Sequence, residues 1–238
     1  MMIMLLPFPL LALDINFMVQ IVPDLLRATW ITIQISVLAV LFGIVAGVTL
    51  GGLRVIGHPI LKTLIQWFVN YVRGVPPLLH IAFIYFALPS FNITLNEFWT
   101  GVVALTVIAT GYEVEIVRAA LESLDRGQRE AALSIGMDER TALFNILLPQ
   151  AAKRMIPALT NELANVVKTS SLLSVIAVNE LTQIGNALIF QHFVFAEVLI
   201  EVSILYLILI GVLTWISSHF ENHVFDFGTL ARSRQSVR

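Results

Sequence analysis

The sequence predicts an all-α integral membrane protein with five transmembrane helices and a long polar loop between the third and fourth. Of its 238 residues, 58% are hydrophobic and only 13% are charged, whereas soluble domains carry about 25% charged residues. Hydrophobic stretches long enough to cross a bilayer recur along the chain. We therefore expect one membrane domain over residues 23–222, preceded by an interfacial segment, 1–22, and followed by a tail, 223–238.

The first and clearest span is predicted for residues 28–53, which carry no charge and lie between Arg27 and Arg54. The apolar segment before it has neither a basic region nor a small-residue cleavage site, so we interpret it as interfacial and not as a cleaved signal peptide. Within the span a glycine recurs at every fourth position, at Gly43, Gly47 and Gly51. Small residues at this spacing let helices pack closely in lipid, which predicts a packing role for them.

The second span, from about Gln66 to Leu88, contains two consecutive prolines, Pro76 and Pro77. Because they remove two backbone donors, the helix must kink or break there. Arg73 lies just before them. Its side chain either extends to the membrane surface or lines a translocation path.

The third span is predicted from about residue 98 to 120 and becomes polar towards its end. Tyr112, Glu113, Glu115 and Arg118 fall in this last part. Glu115 and Arg118 are three residues apart, a spacing that places them on one face of a helix, where they can pair. This ion pair either has a structural role at the membrane edge or belongs to a functional site.

The fourth span, about residues 155–178, is unusually polar. Asn161, Asn165 and Lys168 lie at i, i+4 and i+7, which is one stripe of a helix, and Glu162 is about 100° round from Asn161. A charge at mid-bilayer costs about 2.5 to 3.5 kcal/mol on insertion scales, so the stripe should face protein or water. The stripe either lines a translocation path or makes polar contacts between helices at a dimer interface.

The distribution of basic residues predicts the topology. Lys and Arg concentrate in the turn after the first span, in the polar loop of about residues 125–150 with its flanks, and in the tail, whereas the loops at 89–96 and 182–196 have none. The positive-inside rule places the basic segments in the cytoplasm. With a last span at about 198–220, the N-terminus and its interfacial segment are then external, and the C-terminus is cytoplasmic.

The polar loop also carries a spaced motif. Its fixed residues are Glu130-Ala131-Ala132, then Gly136 after three residues, Ile146 after nine more, and Leu148-Pro149 after another one. Good helix formers precede Gly136, which permits a sharp reversal. Asp138 can then cap a second short helix, expected to end before Pro149. Leu143, Phe144 and Leu147 form an apolar stripe on it.

This spacing resembles the EAA loop of the permease subunits of ATP-binding-cassette (ABC) importers, and every fixed position is met. Three further segments are similar to the polar amino acid subfamily, the histidine, arginine, glutamine and glutamate type permeases. Arg73-Gly74 resembles its Arg-Gly-Thr-Pro-Leu-Leu element, with Val75 for Thr and an additional proline. Tyr112 to Ala119 resembles Tyr-x-x-Glu-Ile-x-Arg-Gly, with Ala119 for Gly. Thr160 to Leu172 resembles Gly-Asn-Glu followed by Lys-Asp-Thr-Ser-Leu, with Thr160 for Gly and Thr169 for Asp.

The resemblance, which covers about residues 20–222, implies the core of a type I ABC importer permease in a bacterial inner membrane. It implies alternating access driven by two partner ATPase subunits, which bind the ATP and Mg; this chain needs no cofactor or metal. It also implies a second permease copy, identical or homologous, an extracytoplasmic amino-acid-binding protein, an amino acid as cargo, a lipid surround and no nucleic acid. The residues implied for ATPase coupling are Glu130, Ala131, Ala132, Gly136, Ile146, Leu148 and Pro149. The substrate-path candidates are Asn161, Glu162, Asn165, Lys168, Tyr112, Glu113 and Arg73.

Other functions stay open or are disfavoured by missing motifs. The chain has no GxxxxGK[ST], HExxH or GxSxG motif and no cysteine, and His219 and His223 lack a third metal ligand at helical spacing. The alternatives are an importer permease for another small solute, such as methionine or another nutrient, and an intramembrane enzyme using Glu162 and Lys168 as an acid/base pair. For the polar loop, the alternative is an amphipathic hairpin lying on the bilayer.

Overall fold

The computed structural model describes the backbone of residues 13–233 and the side chains of residues 13–219, and within this range the protein is helical without any strand. The α-helices are α1 (Ile15–Ile56), α2 (Pro59–Gly74), α3 (Pro77–Ala87), α4 (Glu97–Glu122), α5 (Arg126–Ser134), α6 (Glu139–Ala142), α7 (Leu148–Thr169), α8 (Leu181–His192) and α9 (Ala196–Ser233). Two 3₁₀ segments, Leu88–Phe91 and Ser170–Ile176, and one π-helical turn, Leu143–Leu147, connect them.

The described helices contain three that are long and apolar enough to cross a membrane, namely α1, α4 and the apolar part of α9. Two bent pairs complete the set. The α2–α3 pair bends by 108°, and the segment from α6 to the second 3₁₀ helix forms a 47° bend with α8. If each pair crosses once, there are five spans, the number that the sequence predicts.

The first helix is longer than predicted. It begins at Ile15, where Asp14 accepts a hydrogen bond from the Phe17 amide at 3.0 Å, and at 42 residues it is about 63 Å long. The predicted span over residues 28–53 is therefore part of a longer helix, in which Asp24 and Arg27 pair on the exposed surface at 3.5 Å. Residues 15–22 of the predicted interfacial segment are therefore continuous with α1; residues 1–12 lie outside the described range.

The glycine row of α1 packs against α4, as its spacing predicts. A Cβ atom on Gly47 would lie 2.7 Å from the Cβ of Glu113, and one on Gly51 would lie 2.7 Å from Cγ1 of Val117. Neither site has room for a side chain. Close packing at small residues is the main source of helix association in lipid, so this row sets the distance between α1 and α4.

The proline pair breaks the second span, confirming the sequence prediction. α2 ends at Gly74, Val75 is extended, and α3 begins at Pro77, a first-turn position where the missing N–H costs nothing. The break lies beside the middle of α4, because a Cβ on Gly111 would meet the Val72 side chain at 2.5 Å. The end of α2 therefore packs directly on α4, where Val72 is buried, while Gly74 and Pro76 at the break itself are exposed.

The C-terminal part of the chain is more helical than predicted. The region 182–196 is mostly helix α8, because Glu180 caps it by accepting hydrogen bonds from the amides of Thr182 at 3.0 Å and Gln183 at 2.8 Å. The apolar part of the last helix, Ala196–His219, agrees with the predicted span, and the helix continues to Ser233, into the predicted tail. Residues 234–238 of that tail lie outside the described range.

Candidate functional site

The EAA hairpin, which we define as residues 126–147, has the predicted reversal at its centre. Gly136 adopts φ +89°, a conformation that glycine adopts readily and other residues rarely, and its amide donates to the Leu133 carbonyl at 3.0 Å. Asp138 then caps α6 by accepting from the Thr141 amide at 3.3 Å. Hydrogen bonding from Thr141 lowers the pKa of the Asp138 carboxyl below its ordinary value. The predicted turn and cap are therefore both present.

The helix that follows Asp138 does not end before Pro149, which corrects the sequence prediction. The chain passes from α6 through the π turn directly into α7, and the Leu148 amide donates to the Leu143 carbonyl five residues earlier. Pro149 lies in the first turn of α7, where its missing N–H needs no partner. The wider turn thus accommodates the proline, and the hairpin is joined to α7 without a loop.

The hairpin is anchored to the bundle by apolar contacts at the end of α1. Leu143 and Leu147 are buried in a cluster with residues of α4 and α7, including Leu121 and Ala151. A Cβ on Gly52 would lie 3.2 Å from Cδ2 of Leu143, so α1 also abuts the π turn. The predicted apolar stripe therefore mainly faces the protein's own core, and only Phe144 of that stripe is exposed.

An ion pair and a hydrogen bond across the hairpin fix its shape. Arg129 of α5 and Glu139 of α6 form an ion pair on either side of Gly136, with Nε 3.0 Å from Oε2. Gln150 of α7 donates to Gln128 of α5 at 3.2 Å. Exposed ion pairs contribute little energy singly, but these contacts span both sides of the reversal and orient α5 relative to α7.

The EAA residues divide between an inner and an outer face. Ala132 and Leu148 are buried, Ile146 is half-buried, and Glu130, Ala131, Gly136 and Pro149 are exposed. Ile135, beside them, is 76% exposed. The outer face thus presents small and apolar side chains at the rim of the bundle, and the inner face fixes the hairpin to it.

Next to the hairpin, a cleft of about 680 Å³ opens between α4 and α7, with one residue from the end of α2. It contains five of the seven substrate-path candidates. Its polar and charged lining residues are Arg73, Tyr112, Glu115, Arg118, Ser123, Arg154, Asn161, Glu162 and Asn165.

The lining of this cleft includes both basic and acidic side chains. The Arg73 guanidinium lies 5.7 Å from the centre of the Tyr112 ring, in a cation–π contact. Glu162, only 6% exposed, interacts with the Asn165 side chain. Neither Arg73 nor Glu162 forms an ion pair within the described part of the chain.

The other two candidates lie outside the cleft wall. Glu113 is fully buried and packs against Gly43 of α1, and both of its carboxyl oxygens lack a hydrogen-bond partner within the described side chains. Lys168 is exposed near the end of α7. The helical spacing placed Lys168 on the same stripe as Asn161, but the cleft ends before it.

Sequence reasoning missed the partners that come from distant segments. Arg118 pairs with Glu115 as predicted, with Nη2 2.8 Å from Oε2. Arg54, 61 positions earlier in the chain, also pairs with Glu115, and Glu122 pairs with Arg118. Arg154 donates to the Ser123 hydroxyl at 2.8 Å. No local pattern marks Arg54 or Arg154, because these contacts exist only once α1 and α7 have packed on α4.

A bundle of apolar spans with an open polar cleft along it, and a helical hairpin packed at one end, fits the translocating subunit of a membrane transport system. The chain belongs to the family described as binding-protein-dependent transport system inner membrane component, whose model matches residues 39–226. It is thus a multi-pass membrane permease subunit of an ABC importer, which works with an ATPase and a substrate-binding protein. ATP hydrolysis belongs to the partner.

Individual relatives are similar over nearly their whole length. The chain is 35% identical over 205 residues to the glutamine transport system permease protein GlnP of Escherichia coli (strain K12), covering 85% of this chain and 94% of that protein. It is 29% identical over 210 residues to the arginine transport system permease protein ArtQ of Bacillus subtilis (strain 168), covering 88% and 96%. A crystal structure of an amino acid ABC transporter with histidines superposes with a TM-score of 0.81, at 29% identity, over 89% of this chain and 99% of that one.

Proposed function

We propose that this permease translocates polar amino acids across a bacterial inner membrane. The observation that carries the proposal is the cleft, in which Arg73 and Glu162 present opposite charges without an ion-pair partner among the described residues. Glutamine and arginine relatives with similar coverage support the same class of cargo.

The cleft is suited to both ends of an amino acid. The substrate carboxylate pairs with the Arg73 guanidinium, a group whose planar donors match a carboxylate. The ammonium pairs with Glu162, and the amides of Asn161 and Asn165 donate to or accept from either group. Lys168 and Glu113 contribute only in a conformation that changes the wall, since neither reaches the cleft in this one.

The hairpin transmits the movement of the partner ATPase subunits to this cleft. Two ATPase subunits, which bind ATP and Mg, clasp the outer faces of two EAA hairpins, one from each permease copy of a homodimer or a homologous heterodimer. The hairpin continues into α7 and packs on α1 and α4. Since α4 and α7 form the cleft walls, a shift of the hairpin moves the walls and alternates the access of the cleft.

This mechanism requires a defined orientation in the membrane. The hairpin and the C-terminus lie in the cytoplasm and the N-terminus lies outside, in agreement with the positive-inside rule. The extracytoplasmic binding protein then delivers the cargo at the opposite end of the bundle, where the start of α1 packs with α8 and α9.

The proposal is tested by reconstituting the complete complex and screening amino acids for ATP-driven uptake and for stimulation of ATP hydrolysis, with the binding protein present. We expect polar amino acids to support uptake and to stimulate hydrolysis. Uptake confined to methionine, or to a solute lacking an ammonium or a carboxylate, would contradict the assignment. Omitting the binding protein is the control, and it should remove the stimulation.

A further inference from the structure

The break between α2 and α3 leaves two backbone carbonyls without helical partners, of which that of Val72 belongs to a buried residue. In a continuous helix the carbonyls of Val72 and Arg73 would accept from the amides of residues 76 and 77, but both of these are prolines. An unpaired carbonyl costs several kcal/mol inside a membrane, where water cannot replace the partner. The break therefore requires a donor from elsewhere in the chain.

His80 supplies that donor to Val72. Its Nε2 lies 3.1 Å from the Val72 carbonyl oxygen, and its side chain is only 3% exposed. The ring also packs edge-on against Tyr71, with the ring centres 5.0 Å apart. Because a carbonyl oxygen can only accept, the contact requires a proton on Nε2. One side chain of α3 thus joins both sides of the break.

The end of α2, which His80 holds through Val72, also places Arg73 in the wall of the cleft. The Val72 side chain packs directly against Gly111 of α4, where a Cβ would lie 2.5 Å away. The next residues along each helix are Arg73 and Tyr112, whose cation–π contact lies on the cleft wall. A shift of the end of α2 would therefore move the backbone of Arg73 relative to the Tyr112 ring.

We propose that His80 is a positioning residue for the substrate site, acting through the Val72 carbonyl to hold Arg73 over Tyr112. This rests on the proposed function, in which Arg73 receives the substrate carboxylate. Position 80 requires a hydrogen-bond donor, which a side chain other than histidine can also supply.

The test compares His80→Gln with His80→Leu in the reconstituted complex, by uptake kinetics of the best amino acid substrate. Gln retains an N–H donor of similar reach, so its KM should stay within about twofold of wild type. Leu keeps the bulk but lacks the donor. Without the donor the Val72 carbonyl no longer holds the end of α2 in place, so the KM should rise by about five-fold or more.

A double-mutant cycle separates positioning from general stability. In an Arg73→Ala background, His80→Leu should raise the KM by less than about twofold, because the group that His80 positions is gone. Additive effects, a wild-type KM for His80→Leu, or equal losses for Gln and Leu would each overturn the inference. If no amino acid supports uptake by the wild-type complex, the proposed function fails instead.

A measurement on the unmutated side chain covers the case in which the Leu variant fails to assemble. Histidine-selective ¹⁵N labelling of this subunit, with His80→Gln identifying the signal by its loss, reports which ring nitrogens carry protons. A hydrogen-bonded proton on Nε2 is the expected result. An Nε2 without a proton would overturn the inference whatever the transport data show.

Discussion

Replacing Gly136 by proline is expected to abolish ATP-driven uptake while the subunit still folds. Gly136 has φ +89° and donates its amide to Leu133, whereas proline is fixed near −65° and has no N–H. The angle between α5 and α6 must then change, and with it the outer face that meets the ATPase. We expect uptake to fall to background and ATP hydrolysis to lose its dependence on substrate.

Two further variants make this result interpretable. Gly136→Ala meets no atom within 4 Å of the new Cβ, so its penalty is only the left-handed conformation, about 1–2 kcal/mol, and partial uptake should remain. Gly211→Ala also adds a Cβ in open space but without a positive φ, so it should transport normally. Since the hairpin lies at the rim, the thermal midpoint of the detergent-purified Gly136→Pro subunit should stay near wild type. Wild-type uptake by Gly136→Pro would contradict the role of the hairpin.

Removing the carboxylate of Glu162 is expected to raise the KM for amino acid uptake strongly. A hydrogen bond to a charged group contributes about 1.5–3 kcal/mol, which corresponds to about 10- to 150-fold in affinity. Glu162→Gln keeps the shape and the contact to Asn165 but removes the charge, and Glu162→Ala removes both. We expect the KM to rise in both variants, while hydrolysis in the absence of substrate stays unchanged.

Glu201→Gln is the matched control for the charge. Glu201 lies on α9, is 9% exposed and is not among the residues that line the cleft. Its variant should take up substrate like wild type. Unaltered uptake kinetics in both Glu162 variants would remove Glu162 from the substrate site and leave the cleft without a partner for the ammonium.

The sequence predicts those features that depend on local chemistry. The hydrophobic stretches give the spans, the proline pair gives the break, and Gly136 with Asp138 gives the reversal and its cap. The helix boundaries were less predictable: Arg27 suggested an end to the first span, but it pairs with Asp24 on the surface of one continuous helix. Likewise, residues 182–196 were predicted as a loop, but Glu180 caps a helix that covers most of them.

The site was predictable where one helix carries it and not where several helices meet. Asn161, Glu162 and Asn165 follow from the pattern of a single polar span, and they line the cleft together. Lys168 shares their stripe, but the cleft does not extend that far along α7. The burial of Glu113 against Gly43 and the contact of His80 with Val72 depend on how separate helices pack, which helical periodicity does not specify.

The central claim is that the EAA hairpin transmits a partner's ATP cycle to the bundle from the cytoplasmic side. The chain contains no cysteine, so Ala131→Cys places a single thiol on the exposed face of α5. In the assembled complex with cysteine-substituted ATPase subunits, it should crosslink to the ATPase, and crosslinked complexes should lose uptake until they are reduced. Labelling of this thiol from the extracytoplasmic side by a membrane-impermeant reagent, without any crosslink to the ATPase, would contradict the claim.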